Sequence, residues 1–124
     1  MIKPYYPITP RFYYPMLAHP YEKKKKEIKF PCFVQPKLDG VRCVAVKGEL
    51  FSRYGNVFPT LSHIKKDLLK NTDNLLLDGE LFTDDIYFEK IVGFVKKKNK
   101  TPEEEERSLR IYLNVFDYIE PALN

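Results

Sequence analysis

Two runs of alternating apolar and polar residues, "FPCFVQPK" (30–37) and "VRCVAVK" (41–47), flank the turn-favouring pair Asp39-Gly40 and predict two strands joined there. Gly48 turns the chain into "ELFSR" (49–53), a third predicted strand, and "YGN" (54–56) is a further turn signal. The period then changes. In "PTLSHIKKDLLK" (59–70), Leu61, Ile64 and Leu68 share one face at helical spacing, and Thr60 or Ser62 is placed to cap the helix. "NLLLDGELF" (74–82) is a short apolar run carrying an acidic pair, read as a strand entering a turn at Asp78-Gly79. "DDIYFEKIVGFVKKK" (84–98) predicts a second helix, acidic at its start and basic at its end as the macrodipole favours. "LRIYLNVFDYI" (109–119) alternates as a last strand. Residues 1–20, rich in proline and tyrosine, read as an extended segment laid over a surface, with "PMLAHP" (15–20) as its compact apolar patch. The order predicts an α+β fold, a mostly antiparallel sheet with flanking helices, and no internal repeat is visible.

Composition narrows the class. A chain of 124 residues makes one domain with a core that stands without disulfides, and 44% hydrophobic content excludes a disordered chain. No apolar run reaches the length of a membrane span, and the first residues lack the apolar core of a signal peptide. Cys32 and Cys43 then read as reduced thiols, and the expected setting is intracellular, cytoplasmic or nuclear, with no membrane partner. The net charge of +4 is mild, but it is unevenly spread. "EKKKKEIK" (22–29) and "VKKKNK" (95–100) are basic, while "EEEER" (103–107) is acidic. Solvated loops and helix ends explain such runs, unless further chemistry points to a polyanion.

That chemistry begins at Lys37. K-x-D-G alone turns up by chance in roughly 3% of chains this long. Here Arg42 follows, then "SRYGN" (52–56), "LDGEL" (77–81) and "VFDYI" (115–119), in that order. The series resembles the ATP-dependent DNA ligases, within the covalent nucleotidyltransferases that include RNA ligases and mRNA-capping guanylyltransferases. "KLDGVR" is similar to the family's nucleophile motif, "FSRYGN" to its second, "LLDGEL" to its third, and "IYLNVFDYI" to the strand after it. "PMLA" resembles the segment preceding the nucleophile, so the likeness runs from residue 15 to 119.

The resemblance implies part of an ATP-grasp-like nucleotidyltransferase fold, with residues 1–29 as an extended Pro/Tyr/Lys-rich segment that includes an adenine-pocket "PMLA". Residues 30–124 would then be the N-terminal part of the adenylation domain. Lys37 is implied as the nucleophile that takes AMP from ATP, forming lysyl-AMP and releasing pyrophosphate. Only about 4 in 10,000 unperturbed lysines are neutral at pH 7, a penalty of roughly 4.6 kcal/mol. A half-buried strand end, Arg42 and a bound Mg²⁺ would each disfavour the ammonium, while Asp39 opposes them. Gly40 leaves room for a turn and a close approach. The resemblance further implies that Glu80 binds ribose hydroxyls or Mg²⁺ and that Phe116 stacks on the base. Gln35 and Asp39 would belong to the nucleotide site, and Arg42 and Arg53 would contact the nucleotide or a 5′-phosphate. Met16 and Leu17 suit an adenine-pocket wall or plain packing, and His19 and His63 show no metal-ligand spacing.

The family's domain continues past the "FDYI" strand with a glutamate-bearing and a lysine-bearing motif and then an oligonucleotide-binding-fold domain. Here only "EPALN" follows. The expected function is therefore the adenylation module of a DNA ligase acting on nicked double-stranded DNA in repair or replication, with a separate C-terminal ligase half as a potential partner. A cut piece, half of a split ligase and a shortened protein all fit. The enzyme rivals are an RNA ligase and a capping guanylyltransferase. A rival of another class is a catalytically incomplete module that binds a nick or a partner chain. Richness in Lys, Tyr, Phe and Asn points to a viral or phage origin.

Overall fold

The computed structural model describes residues 7–9, 12–13, 15–72 and 76–119. The extended-segment reading at residues 1–6, 10–11 and 14, the strand start at 74–75 and the tail 120–124 lie outside the described residues. A two-stranded antiparallel pair comes first, β1 (Pro7–Thr9) with β2 (Phe12–Tyr13). The basic run that follows forms one short helix, α1 (Tyr21–Lys24), continued by a 3₁₀ turn at Lys25–Glu27. The main body comprises β3 (Val41–Val46), β4 (Glu49–Phe51), α2 (Ser62–Thr72), β5 (Leu76–Phe82), α3 (Phe88–Lys96), α4 (Pro102–Ser108) and β6 (Tyr112–Ile119). Its four strands form one antiparallel sheet in the order β4-β3-β5-β6. The α+β class expected from the sequence is the one observed.

Alternation decides which side of the sheet is covered. Val41, Cys43 and Ala45 of β3, Leu50 of β4 and Leu77 and Leu81 of β5 point to one face. There they meet Leu61 and Ile64 at the start of α2 and Ile91, Phe94 and Val95 of α3. The opposite face has a smaller apolar cluster of Val44, Val46, Phe51 and Ile119, with Leu76 against it. Arg42, Asp78 and Glu80 share that second face, because Arg42 pairs with Glu80 and Val44 with Asp78 in the β3–β5 ladder. Covering one face with helices therefore leaves the polar residues of the other face available for chemistry.

The β3–β4 hairpin is built as its sequence expects. Lys47 (φ 50°) and Gly48 (φ 79°) both take positive φ, the two-residue turn whose twist suits flanking strands. In α2 the expected Thr60 cap is absent. Thr60 is buried and its hydroxyl donates to the Val95 carbonyl, while the Leu61 carbonyl accepts from the Ile64 and Lys65 amides. The acidic run is more than a solvated loop. Thr101 Oγ1 accepts from the Glu104 amide and the Glu104 carboxylate accepts from the Thr101 amide, a reciprocal capping box that starts α4. These contacts, with Lys97, hold the Glu104 carboxyl down to about 2.

Two strand readings need correcting. "FPCFVQPK" forms no strand: Pro31 and Pro36 remove two amide donors, and residues 31–39 run as an irregular exposed segment. Phe30 is 83% exposed and Phe33 fully so. Asp78-Gly79 is not a turn either, because both residues lie inside the continuous strand β5, paired to β3 on one side and to β6 on the other. Cys32 and Cys43 are free, one exposed and one buried, so no disulfide joins them. Burial pushes the Cys43 thiol up to about 12, which keeps it inert. Among the described residues no helix is long and apolar enough to cross a membrane.

The helical layer rests on Ile91, which has no solvent exposure and sits between α3 and the sheet. Ile91→Ala is expected to destabilise the protein by about 3 kcal/mol, read as a lower urea midpoint at unchanged slope.

Candidate functional site

The open face of the sheet, the loop before β3 and the turn after β4 enclose a cleft of about 1600 Å³. Gln35, Lys37, Arg42, Arg53, Glu80 and Phe116 all line it, although they come from positions up to 81 residues apart (116 − 35 = 81). Met16 and Leu17 complete one wall. Asp39 is the predicted site residue that does not reach the cleft wall; it is exposed on the loop between Lys37 and Gly40.

Arg42 and Asp78 are the fixed point of the site. Asp78 is completely buried, and Arg42 grips its carboxylate through both oxygens, Nε to Oδ1 at 2.8 Å and Nη2 to Oδ2 at 2.6 Å. Arg42 Nη2 also donates to the Met16 carbonyl at 2.5 Å, and its guanidinium lies 4.9 Å from the Phe116 ring centroid. One cation therefore holds a strand carboxylate, the wall segment at Met16 and an aromatic platform together. Sequence reasoning treated Asp78 as a turn residue and missed this role. The available signal was an acid flanked by "LLL" on one side and "GELF" on the other, which is costly to bury unless paired.

Phe116 lies in the cleft wall at an irregularity of β6. Asp78 pairs with Asp117 and Gly79 with Val115, so Phe116 is the extra residue of a β-bulge. Bulges re-aim side chains, and here Phe116 and the next residue, Asp117, both line the cleft, with the Arg42 guanidinium against the Phe116 ring. Its ring is 39% exposed and lies on the wall of the cleft.

The two glycines of the acidic motifs are required by close packing. A Cβ on Gly40 would stand 2.2 Å from the Leu81 carbonyl oxygen, and one on Gly79 would stand 2.3 Å from the Asn114 carbonyl oxygen. Neither glycine has positive φ, so the turn geometry expected of them is not their reason. Gly40 instead brings its amide to Glu80, donating to Oε2 at 3.2 Å. Burial raises the Glu80 carboxyl above its ordinary 4.5, against the opposing pull of the Gly40 amide, Arg42 and Lys37.

Lys37 sits on the exposed loop, contrary to the half-buried strand end expected for it. Desolvation of its amine would have to come with a bound ligand. Arg53 is exposed on the turn after β4, where it stacks 4.7 Å from the Tyr54 ring centroid and hydrogen-bonds the Tyr54 hydroxyl. Ser52 Oγ shapes that turn by accepting from the Tyr54 and Asn56 amides. Among the described residues, no group of three or more His, Cys, Asp or Glu side chains is arranged to hold a metal ion.

No family model matches the chain. Over 93 residues it is 40% identical to the DNA ligases of Enterobacteria phages T4 and T6. That match takes in 61% of this chain and 18% of each phage protein, so the chain spans less than a fifth of the curated relatives it matches.

Two outcomes test the local physics. Gly40→Ala is expected to cost about 2 kcal/mol or more, since a backbone carbonyl cannot yield to a Cβ as a flexible side chain can. For Glu80, a raised native carboxyl means the folded chain retains a proton that the unfolded chain has lost. This contribution is therefore present at low pH and is lost as pH rises from 4.5 through the raised native value. Glu80→Gln should be more stable than the parent at pH 7, with the gain vanishing below pH 4 in urea titrations.

Proposed function

We propose that this chain is the nucleotide-accepting part of an ATP-dependent DNA ligase, with Lys37 as the residue that becomes adenylated. The observation that carries the reading is the convergence of Lys37, Arg42, Arg53, Glu80 and Phe116 on one cleft large enough for a nucleoside triphosphate. Identity to the T4 and T6 DNA ligases supports the same reaction class.

The chemistry assigned to each residue follows from its setting. The Phe116 ring offers the purine a flat surface, held in place by Arg42. Glu80 keeps one carboxylate oxygen on the Gly40 amide and has the other to accept from the sugar hydroxyls. Met16 and Leu17 close the base side of the cleft. Lys37 Nζ, once neutral, attacks the α-phosphorus. The N–P bond forms as the bond to the β-phosphate bridging oxygen breaks, pyrophosphate leaves with the electron pair, and the amine proton passes to solvent. Arg53, exposed at the rim, suits a phosphate of the incoming strand. In place of the sugar, that second Glu80 oxygen would hold a Mg²⁺ ion together with the substrate's own phosphates, as this ion is usually bound, and the ion would neutralise phosphate charge.

For the whole protein, the substrate we infer is nicked double-stranded DNA. AMP would pass from Lys37 to the 5′-phosphate, and the 3′-hydroxyl would then displace it. This is the chemistry of strand sealing in phage replication and repair. The alternatives differ in nucleotide or polynucleotide: GTP against ATP separates a capping guanylyltransferase from a ligase, and nicked DNA against nicked RNA separates the two ligases.

Incubating the protein with Mg²⁺ and α-labelled ATP is expected to leave a label that survives denaturing electrophoresis. Lys37→Ala should reduce it by at least about a thousand-fold, because no other nucleophile stands in for the amine. GTP should give none. An unlabelled but folded parent protein would rule out adenylation by this chain alone.

A further inference from the structure

Asn114 is a cleft residue whose chemistry has no use in the assignments above. It stands opposite Glu80 in the β5–β6 ladder, on the same face of the sheet, and it lines the cleft. Its side-chain nitrogen Nδ2 is shut off from solvent and, among the described residues, has no hydrogen-bond partner. Buried donors in folded proteins nearly always have an acceptor, because an unmet one costs the whole desolvation of the group. An unmet donor on a residue that lines a cleft is a candidate to turn toward an acceptor on a ligand.

The neighbour indicates what that ligand group is. Directly opposed residues on one face of an antiparallel pair bring their Cβ atoms to about 5 Å, so the Asn114 amide and the Glu80 carboxylate act on the same small volume. Glu80 has committed Oε2 to the Gly40 amide, which leaves an acceptor oxygen next to an amide donor. A vicinal diol is the complement of that pair. Each hydroxyl both donates and accepts, so the carboxylate takes a proton from one hydroxyl while the amide donates to the oxygen of the other.

We propose that Asn114 is a specificity-determining residue that, with Glu80, reads the 2′,3′-diol of the sugar and so selects a ribonucleoside triphosphate over its deoxy forms. Reaching the sugar requires rotation about the Asn114 Cβ–Cγ bond, a soft and roughly two-fold torsion, because Nδ2 is closed off where it stands. In its closed position the amide is unmet, and the sugar oxygen offers it an acceptor once it has turned. The inference rests on the nucleotide reading of the cleft and adds to it the residue that distinguishes the sugars.

The test is calorimetric titration of the parent protein and Asn114→Ala with ATP, 2′-deoxyATP and 3′-deoxyATP, alongside melting of both proteins without ligand. The parent is expected to bind ATP about ten-fold more tightly than the deoxy form lacking the hydroxyl that Asn114 reads. Asn114→Ala should lose that factor for ATP, bind that deoxy form within about two-fold of the parent, and melt no lower than the parent when free. Asn114→Leu, which keeps the volume, replaces the alanine form if that one fails to fold. A variant that loses nothing, or loses equally for all three nucleotides, overturns the proposal. So does a lowered ligand-free melting point with an unchanged ATP-to-deoxyATP ratio, which would mark a packing role. If the parent itself binds none of the three, the nucleotide reading fails first and takes this inference with it.

Discussion

Asp78 carries a charge at the centre of a four-stranded sheet, completely shielded from water, and the site is organised around the need to satisfy it. Arg42 does so through both carboxylate oxygens from the neighbouring strand. Such a pair contributes little net stability over an apolar substitute, but removing one partner of a buried pair typically costs about 3–5 kcal/mol. The pair therefore enforces geometry more than it adds stability. With its guanidinium fixed by Asp78, the remaining surface of Arg42 is held against Met16 and Phe116. Segments distant in the sequence thus acquire one common reference point.

The division of labour between the two faces of the sheet follows from the same arrangement. Helices α2 and α3 bury one set of alternating residues in a continuous apolar core. The other set is only partly covered by the cluster around Val44 and Ile119, and the polar residues of β3, β5 and β6 open into the cleft. The bulge in β6 lets Phe116 and Asp117 line the cleft in succession, where strict alternation would have turned one of the two away. Two glycines let backbone segments come closer than any side chain permits, one bringing the loop before β3 onto β5 and the other bringing β6 onto it.

Much of this was legible where a local pattern had a single physical solution. The Leu61, Ile64 and Leu68 spacing, the charge gradient across 84–98 and the Gly48 hairpin each produced the element they implied. Gln35, Lys37, Arg42, Arg53, Glu80 and Phe116 line one cleft, and Asp39 does not. The failures have a common cause. "FPCFVQPK" has the composition of a strand, but it lacks two ladder donors and has no partner, and composition records neither. Asp78-Gly79 has the composition of a turn, yet a strand on each side pulls it straight. The capping box at Thr101 was present as T-x-x-E and was hidden within a run of acids. The Phe116 bulge depends on the register between strands, which no single segment encodes.

Lys37 is three residues from Gly40, the point at which the loop is packed immovably against the carbonyl of Leu81. At roughly 3.4 Å per residue, three residues allow the backbone of Lys37 to range over about 10 Å from that anchor. The amine thus behaves as a charge on a short tether rooted in a rigid sheet. Its local concentration at the cleft is set by a glycine contact, while its exact position along the exposed loop is left open by the fold.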